Sequence, residues 1–464
     1  MSNNFRYWLL CCVVALAACN NGPGAADGGQ IYNDILPGAV RVTTAGGAGF
    51  DRAYSIAVDK LGGRYVAGYF EKAAHFGSLT LKGTNFNDMF VAKLGQGNTF
   101  SWVATSSGGS GPASYNTISV DSAGYSYVSG HFLGTAKFGT HKITSKGDED
   151  GFVAQLDPQG KFTWAKQLGG TGVDGARALV ANPGGGCTVV GHFTGEANFG
   201  VRSLTSRGET DIFVVRLDDK GKIVWLKRAG GALFDEGHAV ALDSTGAPTI
   251  TGSFQKTAIF GSQKLSASSA NNNSSMFVAR LDSAGKFYWA VSGGGNDTFV
   301  GTAVAVDRHG NSYVAGTYFN KITFGKYSAG SLGSADIFVA RVGPKGEVQW
   351  LNSAGGESLD LVGGIVVDST GTAYLTGSFI ASAYFGQVRL VSGVSSDLFL
   401  AGISSAGAFL WAQLAGGSKA EGAHGVALGV NDRPHLTGYF KGLADFGGKK
   451  VTSQGDADIF IWDF

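Results

Sequence analysis

The stretch Ala340–Phe379, ARVGPKGEVQWLNSAGGESLDLVGGIVVDSTGTAYLTGSF, is one copy of a unit that recurs along the chain. Two independent markers of the unit stay in phase, because the dipeptide Phe-Gly and one Gly-Gly pair per unit, beginning with Gly46, each recur seven times at spacings of 61 to 64 residues. The first marker begins at Phe76, Phe138, Phe199, Phe260, Phe324, Phe385 and Phe446. Self-similarity at a fixed period is typical of a repeat architecture, so the unit decides the fold.

Four short strands are predicted in each unit. Runs of five to seven residues rich in β-branched and aromatic types, bounded by turn residues, are typical of strands. The first run ends in an Asp-x-x-Gly turn such as Asp368 to Gly371, in which Asp caps the turn and Gly adopts a positive φ. The fourth run carries one Trp, such as Trp350. Four strands per unit and seven units predict an all-β, seven-bladed β-propeller with four-stranded blades.

The two ends of the repeat array predict how the ring closes. The seventh copy stops at Phe464, after its third strand and without a Trp strand. The offset between Trp and Gly-Gly places Arg41 at the missing Trp position, inside the strand-like segment Ala39–Thr44. We therefore expect the N-terminal segment to supply the fourth strand of the last blade and the propeller to cover residues 39–464. A ring closed in this way needs no capping repeats, unlike a solenoid.

The unit resembles a known family. Asp211–Gly231, DIFVVRLDDKGKIVWLKRAGG, and Gly301–Tyr318, GTAVAVDRHGNSYVAGTY, are similar to the bacterial seven-bladed β-propeller repeat (SBBP). The chain departs from that pattern in an insertion after the second strand, which contains the Phe-Gly marker, and in Ser275, which replaces an Asp before the third strand. The resemblance implies the propeller fold. It implies no single activity, because a fold alone does not give function.

The composition excludes some classes of protein. The formal net charge is +1, from 36 Lys and Arg against 35 Asp and Glu. A general nucleic-acid binder needs a basic surface to neutralise phosphates, so we expect no nucleic-acid partner. Charged residues make up 15% and aromatic residues 12% of the chain, whereas disordered chains are charged and poor in aromatics. The composition therefore predicts a folded chain.

The N-terminal residues predict secretion and a lipid anchor. Residues 1–18 combine Arg6 with an apolar run too short to span a bilayer, which is typical of a secretory signal peptide. Leu16–Cys19 resembles the bacterial lipobox, and this resemblance implies lipidation of Cys19, attachment to the membrane and, with Asn20 following, location at the outer membrane. Residues 19–38 are polar and rich in Gly, typical of a flexible tether. Cys187 would then be the remaining thiol, and we expect it to be packed.

Acidic residues recur in the loop that follows Gly-Gly, and they are the candidate site. They are Asp51, Asp174, Asp235, Asp360 and Glu421, while Ala113 and Phe299 interrupt the series. These loops lead into the innermost strands, so the carboxylates could line the mouth of the central channel and bind a cation or a polar ligand. The alternative is that each carboxylate caps its own loop by accepting backbone N–H bonds. Both hypotheses predict a low pKa for these groups.

Other patterns point to structure more than to chemistry. A second recurrent acid precedes the third strand at Asp88, Asp150, Asp211, Asp336, Asp397 and Asp458, and capping is its expected role. The pattern Gly170-x-Gly172-x-x-Gly175 joins two predicted strands, whereas a dinucleotide site needs a following helix. His131 and His192 share one repeat position that other units fill with Tyr, Ser or Thr, which suggests a tolerant surface position. We expect no cofactor and no metal site.

The sequence leaves three functions open. The leading hypothesis is a non-catalytic, monomeric cell-envelope lipoprotein that binds a protein or polysaccharide through the face carrying the long loops. The second is a lyase or glycosidase with carboxylates at the channel mouth, which would need two acids at a defined separation. The third is a scaffold for outer-membrane assembly. Seven similar units without a divergent catalytic loop favour the first.

Overall fold

The computed structural model of the chain describes residues 41–83, 88–108, 117–268 and 272–464. In these residues the protein is all-β, with antiparallel sheets and no helix. The strands β1 to β38, numbered in chain order, fall into seven units. Within each unit a first strand pairs with a second, the second with a third, and the third with a fourth. This antiparallel order is the one found in a β-propeller blade.

Each unit begins with two antiparallel strands joined by a short turn. In unit order, the first strands are β2 (Arg52–Val58), β8 (Thr117–Val120), β14 (Gly175–Ala181), β18 (Asp235–Leu242), β24 (Phe299–Val306), β30 (Asp360–Val367) and β34 (Gly422–Leu428). The second strands are β3 (Arg64–Phe70), β9 (Ser126–Phe132), β15 (Cys187–Asn198), β19 (Pro248–Phe254), β25 (Ser312–Tyr318), β31 (Ala373–Phe385) and β35 (Pro434–Phe440).

The third strands are β6 (Asp88–Leu94), β12 (Asp150–Leu156), β16 (Ser203–Leu217), β22 (Ser275–Leu281), β28 (Asp336–Val342), β32 (Val388–Ile403) and β38 (Asp458–Asp463). The fourth strands are β7 (Phe100–Ser107), β13 (Phe162–Gly170), β17 (Ile223–Gly231), β23 (Phe287–Gly294), β29 (Val348–Gly356), β33 (Phe409–Gly417) and, for unit 7, β1 (Arg41–Gly47). First strands begin, and second strands end, at the same end of each sheet, which we call the long-loop end.

The insertion after the second strand is a β-hairpin that joins neighbouring units. Separate hairpin strands are β4 (Ala73–Phe76) with β5 (Leu79–Lys82), β10 (Thr135–Phe138) with β11 (His141–Thr144), β20 (Thr257–Phe260) with β21 (Gln263–Ser266), β26 (Lys321–Phe324) with β27 (Tyr327–Gly330), and β36 (Leu443–Phe446) with β37 (Lys449–Thr452). In units 3 and 6 the hairpin has no separate strands. It is formed by the end of the long second strand and the start of the long third strand, β15 with β16 and β31 with β32. Each hairpin pairs with the fourth strand of the preceding unit. The insertion therefore ties neighbouring sheets together.

This hairpin explains the second glycine of the Gly-Gly marker. A Cβ at Gly47 would lie 1.9 Å from the carbonyl oxygen of Ala73, and one at Gly231 would lie 1.7 Å from that of Thr257. Both distances are far inside van der Waals contact, so the fourth strand and the hairpin can pair here only if the residue lacks a side chain.

Buried side chains pack in clusters that each combine two or more neighbouring units. One core cluster joins Ala315 and Ile337 of unit 5 to Leu375 and Phe399 of unit 6, and the other clusters combine neighbouring units in the same way. Because each sheet is covered on both faces, its second and third strands are buried almost throughout and do not alternate between buried and exposed residues. The free Cys187 is a buried member of such a cluster, as expected.

In five units the Trp of the fourth strand links the unit to the next. Five indole N–H groups donate a hydrogen bond to a turn carbonyl of the following unit, at 2.8 to 3.1 Å. The donors are Trp102, Trp164, Trp225, Trp289 and Trp350. The recurrent Trp therefore builds the contact between units and is not a ligand platform.

The two ends of the described chain lie in one sheet. β1 pairs with β38 in the antiparallel register Arg41↔Asp463 to Ala45↔Ile459, the pairing that the sequence predicted. On its other side β1 pairs with the hairpin strand β4 of unit 1. The first strands also contact one another in succession from β2 to β34, and β34 contacts β2.

Candidate functional site

The five acidic residues of the loop after Gly-Gly, which we call the loop acids, lie at the long-loop end of the first strands. They are Asp51, Asp174, Asp235, Asp360 and Glu421, and each is buried, with 0–1% of its surface exposed. Asp51 accepts a hydrogen bond from the N–H of Gly47 at 2.6 Å and another from that of Glu71 at 3.0 Å. Asp174 and Asp235 repeat this pattern in their own units. The bonds are those of loop capping, and the carboxylates do not reach solvent.

Each loop acid lies beside one of the acids that precede a third strand. The pairs are Asp51 with Asp458, Asp174 with Asp150, Asp235 with Asp211, Asp360 with Asp336, and Glu421 with Asp397. We call them the carboxyl pairs. Where Phe299 replaces the loop acid, Ser275 replaces the partner as well. Both members of the pair are therefore absent there, whereas Asp88 is retained although Ala113 replaces its loop acid.

In every pair the acid before the third strand has one buried oxygen without a donor among the described residues, and in two pairs the loop acid, Asp360 or Glu421, has one as well. The Oδ1 atoms of Asp150, Asp211, Asp336, Asp397 and Asp458 are buried and have no hydrogen-bond partner among the described residues. A Cβ built on Gly46 would lie 2.6 Å from Asp458 Oδ1 and 3.0 Å from Asp51 Oδ2, so both oxygens converge on this glycine. A proton held between the two carboxyl groups would satisfy the orphaned oxygen.

The expected low pKa of these acids is wrong. Burial is the largest influence and raises the pKa of Asp51 and Asp360 to about 7, of Asp174 to about 6, and of Asp235 and Glu421 to about 8. Backbone hydrogen bonds oppose this effect, and the second acid of the pair adds to it. Hydrogen bonding alone suggested stabilised carboxylates, but the loss of water outweighs it.

A cluster of aromatic rings around Arg52 occupies the long-loop end between units 7 and 1. We call it the aromatic cluster; its members are Phe50, Tyr54, Tyr69, His424 and Tyr439. The Arg52 guanidinium carbon lies 4.2 Å from the ring centroid of Tyr439 and 4.8 Å from that of Phe50. His424 lies 5.2 Å from Tyr54 and stacks on Tyr439 at 5.6 Å, centroid to centroid. The cluster thus joins side chains from opposite ends of the sequence.

A cluster of charged and histidine side chains occupies the same level between units 3 and 4, and we call it the polar cluster. Arg177 Nη2 lies 3.3 Å from Glu236 Oε2, and His238 Nε2 lies 3.1 Å from the same oxygen. The remaining member, His192, contacts Arg177 through Nδ1 at 3.4 Å. Next to the cluster, His131 of unit 2 lies 3.8 Å from Glu149. The contact between Arg177 and Glu236 joins unit 3 to unit 4, while the other contacts lie within one unit.

The histidines in these clusters are not surface residues. His192 is 9% exposed, and burial lowers its pKa to about 4. Burial and the nearby Arg52 lower the pKa of His424 to about 3. Both imidazoles are therefore neutral at pH 7. The interpretation of this position as surface-like was wrong for His192, which is buried, whereas His131 is partly buried.

The corresponding positions in units 5 and 6 carry small or neutral side chains. Val300 pairs with Thr317, and Leu361 pairs with Ser378, where unit 1 has Arg52 opposite Tyr69. The long-loop end is consequently asymmetric: aromatic on one side, charged on another and neutral on a third. Alignment of the units shows which positions vary, but only the structure shows that the varying side chains meet.

Some predicted features lie outside the described residues, namely the signal segment 1–18, Cys19, the tether 19–38 and Ala113. Within residues 41–83, 88–108, 117–268 and 272–464, no three His, Cys, Asp or Glu side chains are placed to hold a metal ion. The part of the chain that the structure describes contains no helix of the length and apolarity that a membrane span requires.

No protein-family model matches the chain, so its resemblance to the SBBP repeat stays a prediction. A curated relative, an uncharacterised WD repeat-containing protein of Acanthamoeba polyphaga mimivirus, is 27% identical over 174 residues, which cover 34% of this chain. The match spans only 12% of the length of that protein.

Several solved structures resemble the chain at low identity. Sqt1 from Chaetomium thermophilum is 11% identical with a TM-score of 0.42, and the match covers 86% of this chain and 97% of that one. A Dyadobacter fermentans protein of unknown function is 12% identical with a TM-score of 0.39, covering 92% and 100%. A gluconolactonase from Xanthomonas campestris is 11% identical with a TM-score of 0.32, covering 73% and 89%. No function follows from likenesses of this strength.

Proposed function

We propose that the chain is a closed seven-bladed β-propeller that binds a polysaccharide, without catalysis, at the mouth of its central channel on the long-loop face. The observation that carries this proposal is the asymmetry of the long-loop end. Repeated structural positions are the same in nearly every unit, whereas the aromatic and polar clusters each occur once. A surface that differs from unit to unit in a repeat protein is where its function is expected.

Support for the closed ring comes from three kinds of contact. β1 completes the sheet of unit 7 by pairing with β38. The hairpin of unit 1 pairs with β1, as every other hairpin pairs with the unit before it. The first strands contact one another in sequence, and the last contacts the first. In this arrangement the first strands surround the channel, and the clusters lie at its mouth.

The chemistry of the two clusters favours a sugar. Aromatic faces pack against the apolar faces of sugar rings, while Arg, His and Glu side chains offer donors and acceptors for hydroxyl groups. The polar cluster neutralises its own charge, because Glu236 contacts both Arg177 and His238. It therefore suits a neutral, hydroxyl-rich ligand better than a strongly charged one. A protein ligand is the alternative, and the binding experiment below distinguishes the two.

The location of the protein is part of the proposal. We propose that residues 1–18 direct secretion, that Cys19 carries lipid, and that residues 19–38 tether a monomeric propeller to the bacterial outer membrane. Support comes from the pattern Leu16–Cys19 directly after an apolar run. A role in outer-membrane assembly would share this location but would require a protein ligand.

A specific observation also favours an enzyme as the second candidate. Arg177 acts electrostatically on both Glu149 and Glu236, whose pKa values move in opposite directions. Burial raises the pKa of Glu149, whereas for Glu236 Arg177 and His238 overcome burial and lower the pKa. Two acids whose pKa values are shifted in opposite directions can act as general acid and base in glycoside hydrolysis or elimination. The activity would be established if the native protein released new sugar ends from a polysaccharide and the variant Glu149→Gln did not.

Binding at the channel mouth can be tested by one substitution. We expect Tyr54→Ala to weaken the binding of the best glycan from an array by about tenfold or more, because it removes an aromatic face from the mouth. Thr302→Ala, at the same repeat position in unit 5, should leave the affinity unchanged. Isothermal titration of both variants measures the difference. Equal affinities for the two variants, or an array on which no glycan binds, would exclude the proposed site.

A further inference from the structure

The hairpin of unit 2 carries two like charges in direct opposition. Lys137 on β10 stands opposite Lys142 on β11, and both side chains are exposed. Like charges directly opposite each other in a sheet are destabilising. Among the described residues, no ion pair joins either lysine to a carboxylate. The repulsion between them is therefore not offset by a neighbouring acid.

The other six units avoid this repulsion at the same position of the hairpin. Their cross-strand pairs are His75 with Thr80, Asn198 with Ser203, Ile259 with Lys264, Thr323 with Ser328, Tyr384 with Arg389, and Asp445 with Lys450. The first and fourth of these pairs form side-chain hydrogen bonds at 3.0 Å. In unit 6 the Arg389 guanidinium carbon lies 5.9 Å from the ring centroid of Tyr384. Unit 2 thus departs from a pattern that the other units keep.

Protection of the sheet edge accounts for only one of the two lysines. An edge strand exposes unpaired backbone groups, and a lysine there discourages pairing with another chain. β11 is such a terminal strand, so Lys142 can have this role. β10 is paired on both sides, with β11 and with β7, and has no edge to protect. Lys137 therefore needs another explanation.

The positive charge continues onto the hairpin of unit 1. Lys82 at the end of β5 and Lys72 before β4 are both exposed. β5 contacts β7, and β7 pairs with β10, so the two hairpins follow each other along the outer edges of the sheets. Neither hairpin contains an Asp or a Glu. Glu71, beside Lys72, is partly buried and accepts a hydrogen bond from the N–H of Phe50 at 3.2 Å. We call Lys72, Lys82, Lys137 and Lys142 the basic patch.

The form of the basic patch favours a membrane as its partner. The lysines lie on outer hairpins and not in a cleft, and an ammonium group on a flexible stem acts as a point charge without the planar geometry of a guanidinium. Dispersed positive charge of this kind suits a surface of many negative headgroups. The expected tether, residues 19–38, would hold the propeller within roughly 25 Å of the lipid on Cys19. A membrane would therefore be close enough to contact the patch.

We propose that the basic patch docks the outer edge of units 1 and 2 against an anionic lipid membrane. In the cell this role rests on the location proposed above, whereas the attraction to anionic lipid depends on the patch alone. The first strands lie at the opposite edge of each sheet from β5 and β11. The membrane and the glycan proposed for the channel mouth would therefore bind separate surfaces.

The proposal is tested with the full chain and two kinds of vesicle, phosphatidylcholine with and without phosphatidylglycerol. The measured quantity is the ratio of the two partition coefficients. We expect the native chain to prefer the anionic vesicles about tenfold or more, and added salt to remove this preference. Lys137→Gln should lower the ratio about threefold, and Lys137→Gln with Lys142→Gln about tenfold. Lys137→Gln should also leave the melting temperature unchanged or raise it, because it removes the repulsion.

Lys264→Gln is the matched control, because Lys264 is exposed at the repeat position of Lys142 but belongs to unit 4. Its ratio should equal that of the native chain. Residues 1–38 are the same in all variants, so their contribution cancels in the comparison.

Three results would overturn the proposal. They are equal binding of the native chain to both vesicles, equal ratios for the double variant and Lys264→Gln, and binding to soluble dextran sulfate without binding to anionic vesicles. The last result would assign the basic patch to an acidic polysaccharide. Absence of lipid on Cys19 would contradict the proposed location but not this docking surface, because the vesicles are supplied directly.

Discussion

Thr44→Pro is expected to lower the melting temperature by about 10 °C or more, or to prevent folding, because it breaks the strand through which the two ends of the described chain pair. Thr44 lies within β1 opposite Phe460, and β1 pairs with β38 on one side and β4 on the other. Proline removes a ladder hydrogen bond and is tolerated essentially only in edge strands. Since β1 is an interior strand, its loss would separate unit 7 from unit 1.

Lys142→Pro provides the control for this prediction. Lys142 is exposed on β11, which is the terminal strand of its sheet and pairs only with β10. A proline there should change the melting temperature by no more than a few degrees, because an edge strand has no second neighbour. Differential scanning calorimetry compares the two variants. Similar small shifts for both would mean that β1 does not hold the ring together.

Stability is expected to fall as the pH rises from 6.5 to 9, by about 5 °C in melting temperature. Burial raises the pKa of Asp51 and Asp360 to about 7 and of Asp235 and Glu421 to about 8, above the ordinary values of 3.8 and 4.5. The folded state therefore holds protons that the unfolded state has already released. The stability that these groups contribute is complete below about pH 4 and is lost as the pH passes through their folded pKa values.

Two histidines define the lower limit of this window. The pKa of His192 and His424 is lowered to about 4 and about 3, so these side chains make the protein more stable as the pH rises towards 6.5. Because the unfolded histidines titrate near their ordinary pKa of 6.5, this opposing contribution fades as the pH rises above 6.5. The measurement should therefore start at pH 6.5, where the carboxyl pairs dominate the slope.

Asp336→Asn tests the carboxyl pairs directly. Its amide can replace the orphaned Oδ1 with an N–H donor for Asp360, which would then need no shared proton. We expect a shallower pH dependence than in the native chain and no loss of stability at pH 9. Asp456→Asn changes an exposed carboxyl of the same type and should leave the slope unchanged. A melting temperature that is constant across the window in the native chain would contradict the shared proton.

Local rules were sufficient to predict the framework of the fold. The Asp-x-x-Gly turns form as expected, with Asp59 accepting from the N–H groups of Leu61 and Gly63. In unit 7, where the turn signal is lost, Gly429 and Asp432 exchange roles and Asp432 adopts a φ of 58°. The pairing of β1 with β38 followed from counting strands, because a unit that lacks its fourth strand needs one from elsewhere.

The candidate site could not be predicted in the same way, because it depends on contacts between units. Tyr54 and His424 are far apart in the sequence and adjacent in space. A position that varies among units indicates either tolerance or specialisation, and only the positions of its neighbours distinguish the two. The pKa of the loop acids depends on the balance of burial against hydrogen bonding. That balance is quantitative, and residue types alone do not determine it.

The central claim is that strands from the two ends of the chain complete one sheet and so close the ring. A disulfide between cysteines at positions 43 and 461, which face each other in β1 and β38, tests it most directly. The equivalent pair in unit 5, positions 339 and 352, is the control. Mass spectrometry of unreduced peptides should find the link between positions 43 and 461 within single chains, at a yield like that of the control. Absence of this link, or its formation only between chains, while the control link forms, would contradict the closed ring.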